Sequence, residues 1–309
     1  MQAATLIYNA DSGDADTLNP DELSEHFAEA GYDLAYEPTD SESDLSAALR
    51  DHEGLVVVAG GDGTVRGVIC QLLESDAQNK PSLTILPLGT ANNIAKTLGL
   101  PEKTEDLIMR LAEPERCSFD VGRIEAPWGK DYFIEGAGLG LYADMLTHYD
   151  PEEGKSVLRA LGTVKDILFD AKARDVSFKV DGEALSGSII ALEILNTQAI
   201  GPRLRLVSDA SPSDGLFDIA TVYKPEGVSL ADYALSLLND SFDSLENVSV
   251  RRGKTVEITW QGEPFHVDAE VRPSATDHLE EVKGEKLAHD GKIILENLAG
   301  ALELWLPAS

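Results

Sequence analysis

The run Gly54-Leu-Val-Val-Val-Ala-Gly-Gly-Asp-Gly-Thr64 decides the fold. Its first six residues are almost continuously apolar, the pattern of a strand buried on both faces, as in a parallel sheet. Glycines then end the strand, and Val65 to Leu73 reads as a helix. The same grammar repeats downstream. Leu83 to Leu86 is a short strand, followed by Pro87-Leu-Gly-Thr-Ala-Asn-Asn-Ile-Ala-Lys-Thr-Leu-Gly-Leu-Pro101. Ala91 to Leu98 in that stretch is helical and stopped by Gly99 and Pro101. Upstream, Thr5 to Tyr8 is a strand that breaks at Asn9-Ala-Asp-Ser-Gly13, and Pro20 to Ala30 has helical apolar spacing at Leu23, Phe27 and Ala30. Strand–helix alternation at this spacing predicts a doubly wound parallel α/β domain.

The pattern changes near Asp120. Val121 to Glu125, Asp131 to Glu135, Val176 to Val180, Ser188 to Leu195, Phe217 to Val222, Ser249 to Val250 and Thr255 to Trp260 read as strands in series. Asp181-Gly182, Asp214-Gly215 and Gln261-Gly262 punctuate them as turns. One helix, from about Gly154 to Lys172, interrupts. This predicts a C-terminal β-sandwich. The expected division is an α/β domain over 1–122 and a sandwich over 123–296. The apolar tail, Leu298 to Leu306, returns residues 297–309 to the first domain.

The 309 residues carry 25 Lys plus Arg against 55 Asp plus Glu, a net charge of −30. Such a surface repels a phosphate backbone, which argues against nucleic-acid binding. A carboxylate-rich surface also suits high salt, where self-repulsion is screened. Cys70 and Cys117 cannot form a disulfide framework and read as reduced, buried thiols of a cytoplasmic protein. There is no 18-residue apolar run and no basic residue ahead of an apolar N-terminal stretch, so neither a spanning helix nor a secretory signal is expected.

Two loops carry the chemistry. In Gly60-Gly-Asp-Gly-Thr64, glycines let backbone N–H groups approach a phosphate, and the following helix N-terminus adds partial positive charge. Asp62 would repel phosphate and would act through Mg²⁺ or water. The plain alternative is a strand-to-helix turn that uses glycine for its backbone freedom. The loop is not a P-loop, since no GxxxxGK[ST] occurs, and Arg66 stands where GxGxxG needs its third glycine. The loop at Pro87 opens a second helix at a strand's C-terminal end, where open parallel sheets bind ligands. Thr90 and Asn92 offer hydrogen bonds there, or with Asn93 simply cap the helix. Asp268, after the strand-like Phe265-His-Val267, reads as a surface carboxylate as readily as a catalytic one.

Together these residues resemble the diacylglycerol kinase-type lipid kinases, a family that includes sphingosine kinases. GGDGT at 60–64 followed by PLGTANNIAKTLGLP at 87–101 carries the resemblance. Asn9-Ala-Asp-Ser-Gly13 is similar to the family's NPxSG, Phe119-Asp120-Val-Gly122 to its domain-crossing segment, and Gly136-Ala-Gly-Leu-Gly140 to its GxG strand. Ser213-Asp-Gly-Leu-Phe-Asp218 is similar to its DGLxD, and Asp268-Ala-Glu270 to its DGE. The resemblance implies transfer of the ATP γ-phosphoryl group to a lipid hydroxyl, such as that of diacylglycerol to give phosphatidic acid, with Mg²⁺. It implies that Gly60, Gly61, Gly63, Thr64, Gly89, Thr90 and Asn92 bind ATP with Asn9 nearby, that Asp62 and Asp120 belong to the Mg²⁺–water network, that Asp268 is the general base, and that Glu270 supports it. It also implies a structural Mg²⁺ on Asp214 and the carbonyls of Ser211 and Leu216, hard oxygen ligands for a hard cation. A site in the cleft between the domains, peripheral contact at the inner face of the membrane and compatibility with a homodimer are further implications.

Asn93 and Tyr142 stand where the family has Asp, Ala269 where it has Gly, and Ala10 where it has Pro. Residues 271–292 form a long acidic stretch that reads as a surface insertion. The helix at 154–172 carries Lys155, Arg159, Lys165 and Lys172 beside an apolar stripe. It would lie on a lipid surface or pack on the sandwich. Arg203 and Arg205 form a second basic spot, suited to nucleotide or lipid headgroup. The six histidines show no ligand spacing. An NAD kinase-like small-molecule kinase shares GGDGT, but PLGTANN and the late DxE weigh against it. A nucleotide- or lipid-binding regulator without catalysis is the remaining alternative, motivated by Asn93 and Tyr142.

Overall fold

The computed structural model describes residues 1–8, 20–38, 42–50, 52, 54–75, 80–101, 103–147, 173–201, 203–224, 236, 239–274 and 291–308. Two compact units emerge: residues 1–119 with 300–309, and residues 120–299. The sequence reading put these divisions at 122/123 and 296/297. The segment at Asn9–Gly13, the helix expected at 154–172 and most of the acidic stretch, 275–290, lie outside the described residues.

In the first unit the elements run β1 (Gln2–Tyr8), α1 (Pro20–Glu29), β2 (Tyr32–Pro38), α2 (Glu42–Arg50), β3 (Leu55–Gly60), α3 (Asp62–Glu74), β4 (Leu83–Pro87), α4 (Asn93–Thr97) and α5 (Thr104–Arg110). The strands are parallel in the order β2–β1–β3–β4. The chain's last strand, β17 (Gly291–Leu306), adds a parallel pairing at Leu304 with Leu83. Every residue of β3 is buried, as its unbroken apolar run requires. Leu23 and Phe27 of α1 and Leu107 and Ile108 of α5 close over Leu55, Val57 and Ala59 on one face. Trp305, near the chain's C-terminal end, joins that cluster. The helix expected at Ala91–Leu98 is shorter, because residues 89–92 form a side-chain-closed loop before it begins.

In the second unit the elements are β5 (Glu115–Ala126, which begins in the first unit), β6 (Gly129–Phe133), β7 (Gly136–Gly140), α6 (Leu141–Thr147), β8 (Arg174–Val180), β9 (Glu183–Leu195), β10 (Ala199–Ile200), β11 (Leu204–Arg205), β12 (Phe217–Tyr223), β13 (Val248–Gly253), β14 (Thr255–Trp260), β15 (Phe265–Val267), β16 (Glu270–Arg272) and β17 up to residue 299. Strand β9 is the hub. Its first half pairs with β8, and its second half lies between β7 and β12, all antiparallel. The sandwich core gathers Ile124, Phe133, Leu139, Phe178, Leu192, Ile194, Phe217, Ile258, Phe265 and Ile293.

A second cluster, with Tyr142 and Met145 of α6, Ala191, Leu195, Ile200 and Leu206, covers the opposite face of β7 and β9. That is why the second half of β9 is buried at every residue while β8 alternates. Trp260 and Trp305 are buried and Trp128 packs against the sandwich core. Neither Cys70 nor Cys117 is in a disulfide, and both are half-buried rather than buried.

Candidate functional site

The two glycine loops leave neighbouring parallel strands in step, with Gly60 paired to Pro87. They then touch backbone to backbone. A Cβ on Gly89 would lie 2.5 Å from the Gly61 Cα and 2.8 Å from the Asn92 carboxamide oxygen. A Cβ on Gly60 would strike the Thr64 side chain at 2.5 Å. Asn92 adopts the left-handed conformation at φ 51° and closes its own loop, accepting the Gly89 N–H at 2.9 Å and donating to the Gly89 carbonyl at 2.6 Å. Gly61 is the N-cap of the 13-residue α3 and supplies no side-chain acceptor to the first-turn N–H groups. Uncapped amides at a helix N-terminus suit a phosphate. Gly63 faces open space, and Thr90 is exposed at the same rim.

Asp62 ties the loops together. Its carboxylate accepts the backbone N–H of Asn93 at 3.1 Å and of Ile94 at 3.2 Å, the start of α4. Burial raises its pKa against the pull of these amides and of Lys96. Lys96 donates to the Ala91 carbonyl at 2.7 Å. Thus Gly60, Gly61, Asp62, Gly63, Thr64, Gly89, Thr90 and Asn92 lie in one place, while Asn9 is outside the described residues.

The second unit holds a different construction. Asp268 is 5% exposed and left-handed, at φ 52°. Its Oδ1 accepts three backbone N–H groups, from Ile134 at 3.2 Å, Glu135 at 2.8 Å and Gly136 at 3.1 Å. Oδ2 accepts the Ile134 N–H at 3.2 Å. The seat has its own support. Asn196 donates to the carbonyls of Ile134 at 3.1 Å and Asp120 at 2.9 Å, and the Asn196 and Thr197 amides both bond the Glu135 carbonyl. Neither Asn196 nor Thr197 stood out in the sequence; the one signal was two polar residues directly after the apolar end of β9. Glu270, half-exposed, pairs with Arg272 at 2.6 Å, and Arg272 pairs with Asp131 at 2.8 Å.

Asp120 belongs to the second unit, buried, where it accepts the Gly215 N–H at 2.6 Å. Asp214 accepts the Leu216 N–H at 3.0 Å and forms a short ion pair with Arg252. Ser211 meets Ser213 hydroxyl to hydroxyl at 3.1 Å. Asp218, on the strand that follows, pairs with Arg252 at 3.3 Å; burial, then the charge of Asp209, pushes its carboxyl up to about 6. Among the described residues no group of three or more His, Cys, Asp or Glu is placed to hold a metal ion. The oxygen donors of this loop suit a hard cation, with Arg252 as the counter-charge of Asp214 here.

Arg205 pairs with Asp240 at 3.0 Å and donates to the Ser208 carbonyl at 2.9 Å. Tyr142 is buried in α6, and burial followed by the charges of Glu135, Glu193 and Asp268 pushes its pKa up, so it stays a neutral phenol. Among the described residues no helix is long and apolar enough to cross a membrane.

Comparison with known proteins places these features. Residues 3–124 match the diacylglycerol kinase catalytic domain, and residues 156–287 match the YegS C-terminal NAD kinase beta sandwich-like domain. The diacylglycerol kinase of Bacillus subtilis (strain 168) is 28% identical over 285 residues, covering 85% of this chain and 90% of that protein. A Xanthomonas euvesicatoria protein described as "Probable lipid kinase YegS-like" is 30% identical over 252 residues, covering 80% and 81%. The crystal structure of a diacylglycerol kinase from Bacillus anthracis str. Sterne overlaps 99% of this chain and 96% of that one, with TM-score 0.66 and 16% identity. Another solved chain from that organism reaches TM-score 0.74 at 19% identity, covering 99% and 95%. An α/β domain with a C-terminal β-sandwich and a glycine-loop site defines a nucleotide-using kinase. The chain belongs to the diacylglycerol kinase and YegS-like family of lipid kinases.

Proposed function

We propose that this protein transfers the γ-phosphoryl group of ATP to the hydroxyl of a lipid, diacylglycerol or a close relative, giving a product such as phosphatidic acid. The observation that supports it most is Asp268, a carboxylate seated on three backbone amides in a chain that also carries two glycine loops in backbone contact. The first unit takes the nucleotide. Amides of the first turn of α3, with Gly60, Gly61, Gly63, Thr64, Gly89, Thr90 and Asn92, hold the phosphates, and Asp62 keeps the loops in register. The second unit takes the lipid.

Asp268 accepts the hydroxyl proton on Oδ2 as the hydroxyl oxygen bonds to phosphorus and ADP leaves. The three amides aim the carboxylate, and catalysis is positioning plus charge neutralisation. Asp62 and Asp120 are candidate outer partners of an Mg²⁺ ion carried by the nucleotide, which would supply charge neutralisation on the phosphates. Asp214 with the Ser211 and Leu216 carbonyls would hold a structural Mg²⁺, and Glu270, paired with Arg272, is the supporting acidic group. The lipid substrate brings peripheral membrane contact with it.

The test is transfer of labelled phosphate from ATP and Mg²⁺ to diacylglycerol, sphingoid and isoprenoid alcohols in mixed micelles, at low and high salt. Label on one lipid class supports the proposal and names the acceptor. NAD-stimulated turnover, or nucleotide binding without transfer to any lipid, would sink it.

A further inference from the structure

The face of the sandwich that lies under α6 carries buried charge that the proposed chemistry does not use. His266 is fully buried and Glu193 is 2% exposed. Their strands are not neighbours. Strand β7 lies between β15 and β9, and Gly138 pairs with His266 on one side and with Glu193 on the other. Residues in one cross-strand row share a face, so any side chain at 138 would stand between the two. A Cβ there would lie 2.7 Å from the Glu193 Oε2. With glycine, the imidazole and the carboxylate reach across the bare strand, and His266 Nε2 meets Glu193 Oε2 at 2.6 Å.

The protons follow from the partners. His266 Nδ1 lies 2.9 Å from the main-chain carbonyl oxygen of Asp268. That oxygen only accepts, so Nδ1 carries a hydrogen. One further proton lies between Nε2 and Oε2, because two bare acceptors do not approach to 2.6 Å. The Tyr142 ring stands edge-on to the imidazole, at 4.7 Å between centroids and 90°. Glu193 Oε1 is buried with no hydrogen-bond partner, so that carboxylate depends on His266. Burying such a pair is a poor route to stability, since apolar residues of the same volume serve as well.

We infer that the Glu193–His266 pair is a positioning element for Asp268, holding its main chain through Nδ1–H in the left-handed conformation that the three-amide seat requires. The inference rests on reading Asp268 as the general base. The Asp268 peptide is fixed from both sides. Its N–H bonds the Gly136 carbonyl at 2.8 Å, and its carbonyl takes the His266 proton. Non-glycine residues rarely keep φ > 0 unless their surroundings hold them there. Without Nδ1–H, the 268 peptide can rotate toward the ordinary region, and the carboxylate swings off Ile134, Glu135 and Gly136. Small displacements of a catalytic group are expensive in rate.

Two measurements test this. In protein labelled with ¹⁵N-histidine, His266 Nδ1 is expected to be protonated and protected from exchange; an unprotonated Nδ1 overturns the inference whatever the variants do. The second compares kinetics. E193V/H266L nearly keeps the core volume and buries no charge, so it is expected to melt near wild type while kcat for lipid phosphorylation falls about 10- to 100-fold. ATP affinity is expected to be unchanged. E193Q can still donate to Nε2 and keep Nδ1–H on the Asp268 oxygen, and is expected to stay within about fivefold of wild type. Wild-type turnover in the double variant beside an inactive D268N overturns the positioning role and leaves the base assignment standing. E193Q falling as far as the double variant also overturns it. Full activity in D268N removes the base assignment itself, and this inference with it.

Discussion

The glycine loops of the first unit and the Asp268 seat of the second use the same material, backbone N–H groups, in opposite ways. Around Gly61 and Gly89 side chains are stripped away, and the first-turn amides of α3 face outward with no cap. Around Asp268 the amides of residues 134–136 face inward, onto a carboxylate that belongs to the protein. An anion site built for a visitor must leave its donors unfilled, whereas a site that aims a resident carboxylate must fill them. Asp62 stands between the two cases. It fills the amides of α4, which fixes one loop and leaves those of α3 for a ligand.

This contrast can be broken at three points, with a fourth substitution as control. Replacing Asp268 by Asn is expected to cost about 10²- to 10⁴-fold in kcat, the range of general-base catalysis, measured by phosphate transfer to lipid. Replacing Gly89 by Ala drives a Cβ to within 2.5 Å of the Gly61 Cα. Overpacking of that kind costs about 1–3 kcal/mol, and nucleotide affinity is expected to fall about tenfold or more by calorimetry. Asp62→Asn keeps one acceptor for two N–H groups. It is expected to cost about 1–2 kcal/mol in urea unfolding and a smaller loss in nucleotide affinity.

Asp181→Asn is the control outside both sites. Asp181 is left-handed in the β8–β9 hairpin and accepts the Lys254 and Thr255 amides and the Thr255 hydroxyl. Burial is the largest single influence and opposes ionisation, but these bonds and the charge of Lys254 together hold its carboxyl below the ordinary range. A lowered folded-state pKa gives stability that is present above the ordinary carboxylate pKa and lost as pH falls through the folded value. The variant is therefore expected to lose up to about 1 kcal/mol at pH 7. That difference closes in acid, with no change in phosphate transfer.

The parts of the fold that were legible carry strong local signals. Strand β3 announces itself as an apolar run closed by glycines, and the Asp181-Gly182 turn by its residue pair. Strand β2, Tyr-Asp-Leu-Ala-Tyr-Glu-Pro, lies at the sheet edge and mixes polar with apolar residues, so no run marks it. Helices α2 and α5 are short, at nine and seven residues, and leave little periodicity to read. The strand at Asp131–Glu135 lies two residues earlier, because residues 134–136 are turned inward to bind Asp268. Strand β7 has three glycines in five residues, a composition that local propensity argues against. It is a strand because β9 and β15 pair with it on both sides.

In the site, the loops were legible and their contact was not. That Gly61 meets Gly89, or that Asp62 caps α4, follows from the register of β3 and β4 and not from spacing. His266 had no ligand pattern to mark it. Its partner Glu193 is 73 residues away and two strands over, and only the sheet brings them together.

The most direct test of the account measures ATP affinity and lipid phosphorylation side by side in G89A and D268N. The account predicts crossed losses: G89A binds ATP weakly, and D268N binds ATP as wild type does but transfers phosphate to lipid about 10²- to 10⁴-fold more slowly. Parallel losses of binding and transfer in both variants, or transfer undiminished in D268N, would contradict it.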